Sequence, residues 1–410
     1  MIVSPQSAAK SLLSAAAVRE RAHKILALGA RLPNFHVDLA RLDEAAQLVI
    51  DTTRAAYPSL DVPFHSRWRH FEIGGTDQWD ALDKRIKWQS AAARARAAFD
   101  LAIVSVLLDA SAGPSWRFHD AASGQRVGRS EGLALASLAM FRDGMFSSRP
   151  DEPLRADAAA LAELTEEKLG RGFQVSDRNP LLSVAGRAGL LRRLGRTVLA
   201  TPDIFGRQDT PRPGGLFDHL AAIAEHGRIA AATILSELLT HLGPIWPSRL
   251  TLGGVALGDC WRHSALKVDD ETDGLVPLHK LSQWLAYSLI EPLQWAGIEV
   301  VEIDGLTGLA EYRNGGLFID TGALALRDPA VAQLEHGVGS ELVVEWRALT
   351  VALLDRLAEV VRARLKLDRD RLPLARILQG GTWTAGRNIA KKLRPDGGPP
   401  LKIISDGTVF

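Results

Sequence analysis

The chain contains very little cysteine. Cys260 is its one cysteine in 410 residues, which excludes a disulfide framework and any cysteine-rich zinc site. A chain of this length buries about 75% of the surface that its unfolded form would expose, so it can fold without disulfides or a structural metal. The composition indicates a globular protein of a reducing compartment. We expect a cytoplasmic location.

Net charge is also almost absent. The 49 basic side chains stand against 48 acidic ones, which gives +1 at pH 7. Proteins that bind long nucleic acids or anionic membrane surfaces commonly carry a marked basic excess or patch. The charge balance therefore predicts neither nucleic acid nor membrane as a partner. It also argues against a glycosylase that acts on polynucleotides.

No apolar run is long enough to cross a bilayer. The most apolar stretch, AFDLAIVSVLLDA at 98–110, is short and carries Asp100 and Asp109, so it predicts a buried helix. The N-terminal segment lacks the continuous apolar core of a signal peptide. Its serine, alanine and basic residues faintly resemble a transit peptide, but we interpret it as an amphipathic surface helix.

Several common catalytic and metal-binding motifs are missing. No HExxH helix occurs, and His65 and His70 lack a third ligand at metal spacing. There is no GxSxG elbow, and Cys260 has no evident base beside it in the sequence. In the calcium-loop imitation at 269–274, Lys280 stands where a bidentate glutamate is needed. We therefore predict no metal and no cofactor.

The segment GGTWTAGRN at 380–388 imitates a phosphate-binding loop. Arg387 replaces the lysine, and a helix-like segment precedes the glycines where such loops follow a strand. Nucleotide-triphosphate hydrolysis is therefore rejected. A glycine turn that leads into a helix N-terminus still makes Arg387 a candidate for binding an anionic substrate.

Helical spacing of apolar residues dominates the chain. Asp77, Ser130 and Ser340 stand where N-caps are expected, and the few strand candidates are 298–303, 316–320 and 401–405. These patterns predict a mainly α-helical fold with a few short strands. The helical segments are 7–29, 38–56, 77–110, 130–142, 155–169, 180–195, 215–242, 276–296 and 340–366.

One helix carries an unusual polar face. In VPLHKLSQWLAYSLIEPLQWAG, at 276–297, Pro277 suits the first helical position. A solvated face more often shows several charges and no large aromatics, so this face indicates the wall of a polar pocket. The alternative is that the aromatics pack on another helix while the lysine extends to water. The stripe, which lies within about 80° of arc, consists of Lys280, Gln283, Trp284, Tyr287 and Glu291.

A basic cluster lies in SRWRHFEIGG at 66–75. Arg67, Arg69 and His70 are candidates for binding a phosphate, because guanidinium groups match oxyanions with two hydrogen bonds. The alternative is that these side chains form salt bridges with acids of neighbouring helices, which is the commoner role of charged loops.

The best catalytic candidate is Glu311, in EYRNGGL at 311–317. Burial between apolar segments would raise its pKa, and nearby Arg313 would lower it, which is how a carboxylate is adjusted to act as a base or an electrostatic stabiliser. The alternative is that Glu311 caps the following helix or pairs with Arg313. The residues alone favour this structural role slightly.

Over nearly its full length the sequence resembles the uracil catabolism protein 4 family. The resemblance is carried by SRWRHFE, FDLAIVSVLLDA, EGLALASLAMF, LVPLHKLSQWLAYSLIEP, GLTGLAEYRNGGL, VVEWRALTV and the terminal ILQGGTWTAGR and SDGTVF. It implies a pathway in which uracil becomes a ribosyl phosphate, its ring is opened, and urea is released.

The middle of the chain is also similar to queuosine-phosphate nucleosidases, whose helical fold is related to helix-hairpin-helix DNA glycosylases. In those relatives a lysine shortly before a glutamine is followed by an Asp-Tyr-Arg triplet. Here Lys280 and Gln283, then Glu311, Tyr312 and Arg313, occupy these positions, although glutamate replaces the aspartate. The resemblance implies a catalytic carboxylate at Glu311 and a substrate-contacting lysine. It ends near 370, which divides the chain into a compact catalytic domain at 1–370 and a glycine-rich extension at 371–410.

Together the two resemblances imply a metal-independent N-ribosidase that splits a ribosylurea phosphate, a small nucleotide-derived substrate, into urea and ribose phosphate. A carboxylate stabilises the positive charge on the sugar, while Lys280, Tyr312 or a protonated Asp109 assists the leaving urea. Gln283, Trp284, Tyr287 and Arg313 are further candidates for substrate binding. The alternatives are an amidohydrolase that acts on the opened ring and a non-catalytic partner of another enzyme of the pathway.

Overall fold

The fold is mainly α-helical with short strands, as the periodicity predicts. The computed structural model describes residues 4–206, 210–246 and 250–404. The relation to helix-hairpin-helix glycosylases stays a prediction. The α-helices of the described residues are Pro5–Ser11, Ala15–Leu26, Leu42–Ala56, Gln78–Asp83, Ala91–Leu107, Arg129–Arg142, Ala158–Ala162, Glu166–Gly172, Val184–Ala200, Pro202–Phe205, Gly215–Ile223, Ala231–Leu242, Lys280–Trp295, Tyr312–Asp320, Glu341–Leu365, Leu374–Ile377 and Trp383–Leu393.

The chain forms two compact units that are discontinuous in sequence. Among the described residues, unit one consists of 4–65, 250–283 and 302–404, and unit two of 66–246 and 284–301 with its gap at 207–209. The boundary falls inside helix Lys280–Trp295, whose first turn belongs to unit one. The predicted division at residue 370 stays a prediction.

Unit one is organised around helix Glu341–Leu365. Its side chains are buried almost without interruption from 342 to 354, and it packs against helices Ala15–Leu26 and Leu42–Ala56. At its N-terminal half, the buried Glu345 accepts hydrogen bonds from the backbone N–H of Phe35 at 3.0 Å and from His263 at 3.0 Å. A buried charge needs such partners, because an unpaired one costs several kcal/mol.

Short strand pairs connect the helices of unit one. Three pairs are antiparallel and one, which joins the chain near residue 336 to the C-terminal segment, is parallel. The strand predicted at 401–405 is confirmed as Lys402–Ile404. Ser405 lies outside the described residues. The pairs are Phe35–Val37 with Leu324–Leu326, Cys260–Arg262 with Leu275–Pro277, Thr251–Leu252 with Val255–Ala256, and Glu335–Gly337 with Lys402–Ile404.

Unit two has helix Ala91–Leu107 at its centre. Every side chain from 97 to 107 is buried, which confirms the buried helix predicted from the apolar run. Its Asp100 carboxylate binds the guanidinium of Arg212 and the backbone N–H of Gly214, so the charge inside this apolar helix is satisfied. The strand pairs of unit two are Glu72–Ile73 with Thr76–Asp77, Phe118–His119 with Arg126–Val127, and the parallel Arg228–Ala230 with Glu299–Val301.

Some predicted elements differ from the fold. The strand expected at 316–320 is wrong, because helix Tyr312–Asp320 continues through it from a cap at Glu311. The predicted helix 77–110 is interrupted between Asp83 and Ala91. The predicted helix 215–242 is likewise interrupted by strand Arg228–Ala230. Ile86 and Trp88 lie in the first interruption and Ile229 in the second, and these isolated apolar residues are enough for periodicity alone to join the pieces.

The predicted helix starts are correct in part. Asp77 caps helix Gln78–Asp83 by accepting from the backbone N–H of Asp80 at 3.0 Å, and Ser340 occupies the N-cap position of the long helix without a side-chain bond. Ser130 lies inside its helix, which Gly128 precedes as N-cap. Pro277 lies in a strand, because the helix begins at Lys280.

Within the described part of the chain, every helix is too short or too polar to cross a lipid bilayer.

Candidate functional site

Glu311 is the N-cap of helix Tyr312–Asp320. Its backbone is extended, and its carboxylate accepts from the backbone N–H of Arg313 at 2.8 Å and of Asn314 at 2.5 Å. The residue is 8% exposed. The capping role considered in the sequence analysis is therefore present. Capping uses one lone pair on each oxygen, so each oxygen keeps a second acceptor position.

Two opposing effects set the ionisation of Glu311. Burial raises the pKa of the Glu311 carboxyl above its usual range, while the two backbone N–H groups and the positive charges of Lys280 and Arg313 act to lower it. Lys280 and Glu311 are 31 positions apart in the chain, and the fold of unit one brings the lysine within electrostatic reach of the carboxylate. A buried carboxylate with a raised pKa and nearby cations is typical of functional sites, although structural ion pairs produce the same pattern.

Lys280 opens its helix, and its backbone is anchored to Asp259. The Lys280 N–H donates to Asp259 Oδ2 at 3.0 Å, and Arg347 holds the same carboxylate with two hydrogen bonds of 2.8 Å each. Burial acts to raise the pKa of Asp259, but the Arg347 charge and the hydrogen bonds from Arg347, Trp261 and the Lys280 backbone together hold that pKa far below its usual range. Asp259 is therefore ionised at neutral pH.

Gln283 is fully buried, and its amide is bonded to Thr307. The amide oxygen accepts from the Thr307 N–H at 3.1 Å, and the amide nitrogen donates to the Thr307 hydroxyl. These bonds attach the first turn of the helix to the loop that leads to Glu311. Direct contact of Gln283 with a substrate stays a prediction.

Tyr312 and Arg313 begin the helix that Glu311 caps. The Arg313 guanidinium lies over the Tyr312 ring, 4.9 Å from its centroid, and donates from Nη1 to the carbonyl oxygen of Gly397 at 3.0 Å. Arg313 is buried and Tyr312 half-buried. Arg313 therefore connects the candidate site to the C-terminal segment, and its predicted contact with substrate stays a prediction.

The glycine turn before Arg387 is not the start of a helix. Residues 374–393 are continuously helical, with a π-helical turn at Leu378–Thr382. No free N–H groups are therefore exposed at the turn, and the helix N-terminus expected there is wrong. Gly381 instead allows close packing, because a Cβ on it would lie 2.6 Å from the carbonyl oxygen of Val49. The Arg387 side chain stacks on Trp383 at 5.5 Å.

In unit two, Arg67 lies at the centre of a buried polar cluster. Its Nη1 lies 3.0 Å from Asp109 Oδ1 and 3.1 Å from the Ser130 hydroxyl, and its Nε donates to Ser105 at 2.7 Å. Burial lowers the pKa of Arg67, and the Asp109 charge opposes this shift. The salt-bridge alternative considered for this arginine is thus present. Arg67 Nη2 is buried and has no hydrogen-bond partner.

The same cluster includes His70 and Asp109. The Ser130 hydroxyl donates to both Asp109 oxygens, at 2.7 and 2.8 Å, and lies 3.0 Å from His70 Nδ1. Asp109 is therefore a hydrogen-bond acceptor in an ion pair with Arg67, an arrangement that gives no support to the idea of a protonated Asp109 as a proton donor.

Arg69 forms the second salt bridge of the basic segment. Its Nη2 donates to Glu291 Oε1 at 2.8 Å, while the Ser66 hydroxyl donates to Oε2 at 2.7 Å. Burial raises the pKa of Glu291, and the Arg69 charge opposes this shift. Phosphate binding by Arg67, Arg69 and His70 stays a prediction.

Trp284 and Tyr287 are buried side chains of helix Lys280–Trp295. The Trp284 ring lies beside the basic segment. Its centroid is 5.4 Å from the guanidinium carbon of Arg67 and 5.4 Å from the centroid of the His70 ring. Tyr287 is fully buried. The predicted pocket, which would combine these two residues with Lys280 and Glu311, draws on both units and stays a prediction.

Cys260 is buried among apolar residues of unit one, including Leu257 and Leu275. Burial raises the pKa of the Cys260 thiol to about 12. A thiol with this pKa is protonated at neutral pH and is inert as a nucleophile.

One cluster was missed by the sequence analysis. In unit two, His219, Glu237 and His241 present ligand atoms that all lie within 4.8 Å of one another, a grouping that the sequence motifs considered for metal binding did not include. The signal was the pair Glu237 and His241, spaced as i and i+4 on a helix. The third ligand lies on another helix, which local spacing does not reveal.

Comparisons with known proteins confirm the first resemblance. A family model described as a protein of unknown function (DUF1688) matches residues 11–410. The protein named "Protein urg3" of Schizosaccharomyces pombe is 41% identical over 420 aligned residues, with 100% of both chains covered. "Uracil catabolism protein 4" of Lachancea kluyveri is 36% identical over 411 residues, which cover 92% of each chain.

Proposed function

We propose a reaction for this chain, which belongs to the DUF1688 family. The name of one relative, "Uracil catabolism protein 4", supports a role in uracil catabolism. Within that role we propose that the chain is an N-ribosidase, which hydrolyses the ring-opened nucleotide ribosylurea phosphate to urea and ribose phosphate. The observation that supports this most directly is the buried carboxylate of Glu311 in the electrostatic field of Lys280.

The proposed reaction breaks the bond between C1′ and nitrogen. As the bond lengthens, its electron pair moves to the urea nitrogen and positive charge develops on the sugar. An ionised Glu311 stabilises that charge and accepts a proton from the water that attacks C1′. Both carboxylate oxygens are oriented by backbone N–H groups at the start of a helix. Their geometry is therefore set before the substrate arrives.

Urea is a poor leaving group as an anion, so its nitrogen must receive a proton. Lys280 is the first candidate donor, because its positive charge acts on Glu311 within unit one. Tyr312, which follows the carboxylate in the chain and begins the helix, is the second. In either case the added water supplies the hydroxyl group of ribose phosphate, and atoms balance without a metal or an organic cofactor.

The direct test is to incubate the purified full chain with ribosylurea phosphate and to measure urea and reducing sugar separately. We expect equal molar amounts of both, and formation of both about 10²- to 10⁴-fold more slowly by Glu311→Gln at the same concentration. Uridine monophosphate and uracil-containing DNA are the control substrates, which we expect to remain intact. Absence of urea and sugar with a folded wild-type chain would overturn the proposal.

The two alternatives give other results in the same assay. An amidohydrolase would cleave a bond between the urea carbonyl and nitrogen and release ammonia and carbon dioxide, so no urea would form. A non-catalytic partner would turn over neither ribosylurea phosphate nor the opened ring. Cys260 gives the amidohydrolase no nucleophile, because its thiol is buried and protonated.

A further inference from the structure

Two histidines and a glutamate of unit two converge on one point. Glu237 Oε2 lies 2.6 Å from His219 Nε2 and 3.1 Å from His241 Nε2. The two imidazole rings meet edge to face with their centroids 5.1 Å apart. Three potential ligand atoms, two nitrogens and one oxygen, therefore lie within 4.8 Å of one another.

The fold brings these side chains together from two helices. His219 lies on helix Gly215–Ile223, and Glu237 and His241 lie one turn apart on helix Ala231–Leu242. The connection between the helices contains a strand, Arg228–Ala230, that is paired with Glu299–Val301. The second helix is buried through its leucines and isoleucine, and Glu237 and His241 lie on a more open side.

We propose that His219, Glu237 and His241 bind a divalent transition-metal ion, for which Zn²⁺ is the best match, and that this ion joins the two helices. Two imidazoles and one carboxylate suit Zn²⁺, whereas Mg²⁺ and Ca²⁺ prefer oxygen ligands. Ligands at about 2.1 Å in a tetrahedral arrangement are separated from each other by about 3.4 Å. The two nitrogen–oxygen separations of 2.6 and 3.1 Å would need to open by part of an ångström. The two nitrogens lie within 4.8 Å of each other.

The side chains also leave a path for the ion. Their exposed fractions are 11% for His219, 24% for Glu237 and 19% for His241. Three protein ligands leave at least one position for water, so the ion would be held partly open to solvent. The proposal is independent of the reaction proposed for Glu311, which belongs to the other unit.

The test is zinc binding by the purified full chain after treatment with a chelator. We expect one tight Zn²⁺ equivalent in the wild type, measured by competition with a chromophoric chelator. Loss of a residue that only supports a metal ligand lowers metal affinity about 10- to 100-fold. His241→Ala and Glu237→Gln remove ligands themselves, so their zinc affinity should fall by at least this much. His119→Ala is the control, because His119 is an exposed histidine of the same unit.

Thermal unfolding gives a second readout that does not depend on activity. ZnCl₂ should raise the unfolding temperature of the wild type and of His119→Ala, because a ligand that binds the folded state stabilises it. At the same ZnCl₂ concentration it should raise the unfolding temperature of Glu237→Gln, which keeps both histidines and the side-chain volume, clearly less. MgCl₂ should affect none of the proteins. Equal zinc affinity in the wild type and in Glu237→Gln and His241→Ala would overturn the proposal, as would a wild type that binds no zinc.

Discussion

Arg347 holds the Asp259 carboxylate with two hydrogen bonds, from Nη1 and Nη2, of 2.8 Å each. The same guanidinium donates from Nε to the carbonyl oxygen of Ala310 at 3.3 Å. Asp259 in turn accepts from the backbone N–H of Lys280. One buried arginine therefore connects the chain segment that carries Lys280 to the residue immediately before Glu311.

Breaking this ion pair should destabilise the protein strongly. In Arg347→Met the Asp259 carboxylate keeps its burial but loses its charged partner, so we expect the free energy of unfolding to fall by about 3–5 kcal/mol. Arg41→Met is the control, because Arg41 and Glu44 form an exposed pair whose loss should cost less than about 1 kcal/mol. Urea unfolding of the three proteins measures both values. Equal losses in the two variants would contradict the prediction.

Helix Trp383–Leu393 packs closely against helix Tyr312–Asp320 because Gly386 has no side chain. A Cβ at Gly386 would lie 2.2 Å from the carbonyl oxygen of Arg313, a backbone atom that cannot rotate away. Gly386→Ala should therefore push helix Trp383–Leu393 away from helix Tyr312–Asp320 and cost about 1–3 kcal/mol. Gly243→Ala is the matched control, because a Cβ there meets no atom within 4 Å. Similar unfolding temperatures for both variants would contradict the prediction, because they would show that the two helices separate at little cost in stability.

His65 should make the protein sensitive to acid. Burial lowers the pKa of His65 to about 4 from 6.5, the Gln379 hydrogen bond opposes this shift, and the Lys280 charge adds to it. Between pH 6.5 and 4 the unfolded chain binds a proton that the folded chain does not bind. Stability is therefore lost as the pH falls through this window, by about 3 kcal/mol at about 1.4 kcal/mol per pKa unit.

His65→Asn separates this contribution from that of other groups. Asparagine can still donate to Gln379, which lies 3.0 Å from His65 Nδ1, but it does not titrate. We expect the variant to lose less stability than the wild type between pH 6.5 and 4, as measured by urea unfolding at three pH values. Equal losses in the two proteins would mean that other groups dominate.

The fold class and the main helices could be predicted because their signals are local. The apolar run around Asp100 predicts a buried helix, and the position of Asp77 before a helical segment predicts its role as an N-cap. Periodicity misplaced the strand at 316–320, since GLFID has a strand-like composition and its helical state depends on the cap at Glu311. A short apolar segment does not distinguish the two states.

The candidate site was predictable residue by residue but not in its contacts. The resemblance to queuosine-phosphate nucleosidases pointed to Lys280 and Glu311, and the structure gives them an electrostatic interaction in unit one. Nothing in the spacing indicated that Arg347 would connect their segments, because an ion pair formed across 88 positions leaves no periodic signal. The His219 cluster escaped notice for the same reason.

Lys280 should set the acidic limb of the pH–rate profile. Burial raises the pKa of Glu311 and the Lys280 charge lowers it, so Lys280→Met should raise that pKa further. The ionised carboxylate is the active form in the proposed reaction. Turnover is therefore lost as the pH falls through this pKa, and the acidic limb should move to higher pH in the variant. Lys280→Arg keeps the charge and should keep the limb close to its wild-type position.

The measurement is turnover of ribosylurea phosphate between pH 4 and 8 for the three proteins. The position of the limb is independent of how much the plateau rate falls, so a loss of proton donation by Lys280 does not obscure it. A limb that stays in place in Lys280→Met, or that moves to lower pH, would rule out electrostatic coupling between the two residues.

Glu311→Gln distinguishes a catalytic carboxylate from a helix cap. The substitution keeps the size of the side chain and removes the charge that the transition state requires. We expect turnover to fall about 10²- to 10⁴-fold, or about 3–5.5 kcal/mol of barrier. KM should change little, because the lost interaction strengthens mainly in the transition state.

The cap itself should weaken, because the two N–H groups bind different carboxylate oxygens, and in glutamine an amide nitrogen, which cannot accept, replaces one of them. Loss of such a cap bond costs about 1 kcal/mol. Asp77→Asn, at the cap of helix Gln78–Asp83, is the control for that cost and should keep full turnover. Turnover and thermal unfolding are measured for both variants. Near-normal turnover in Glu311→Gln, or a loss of turnover that accompanies collapse of the fold, would show that Glu311 acts only as a cap.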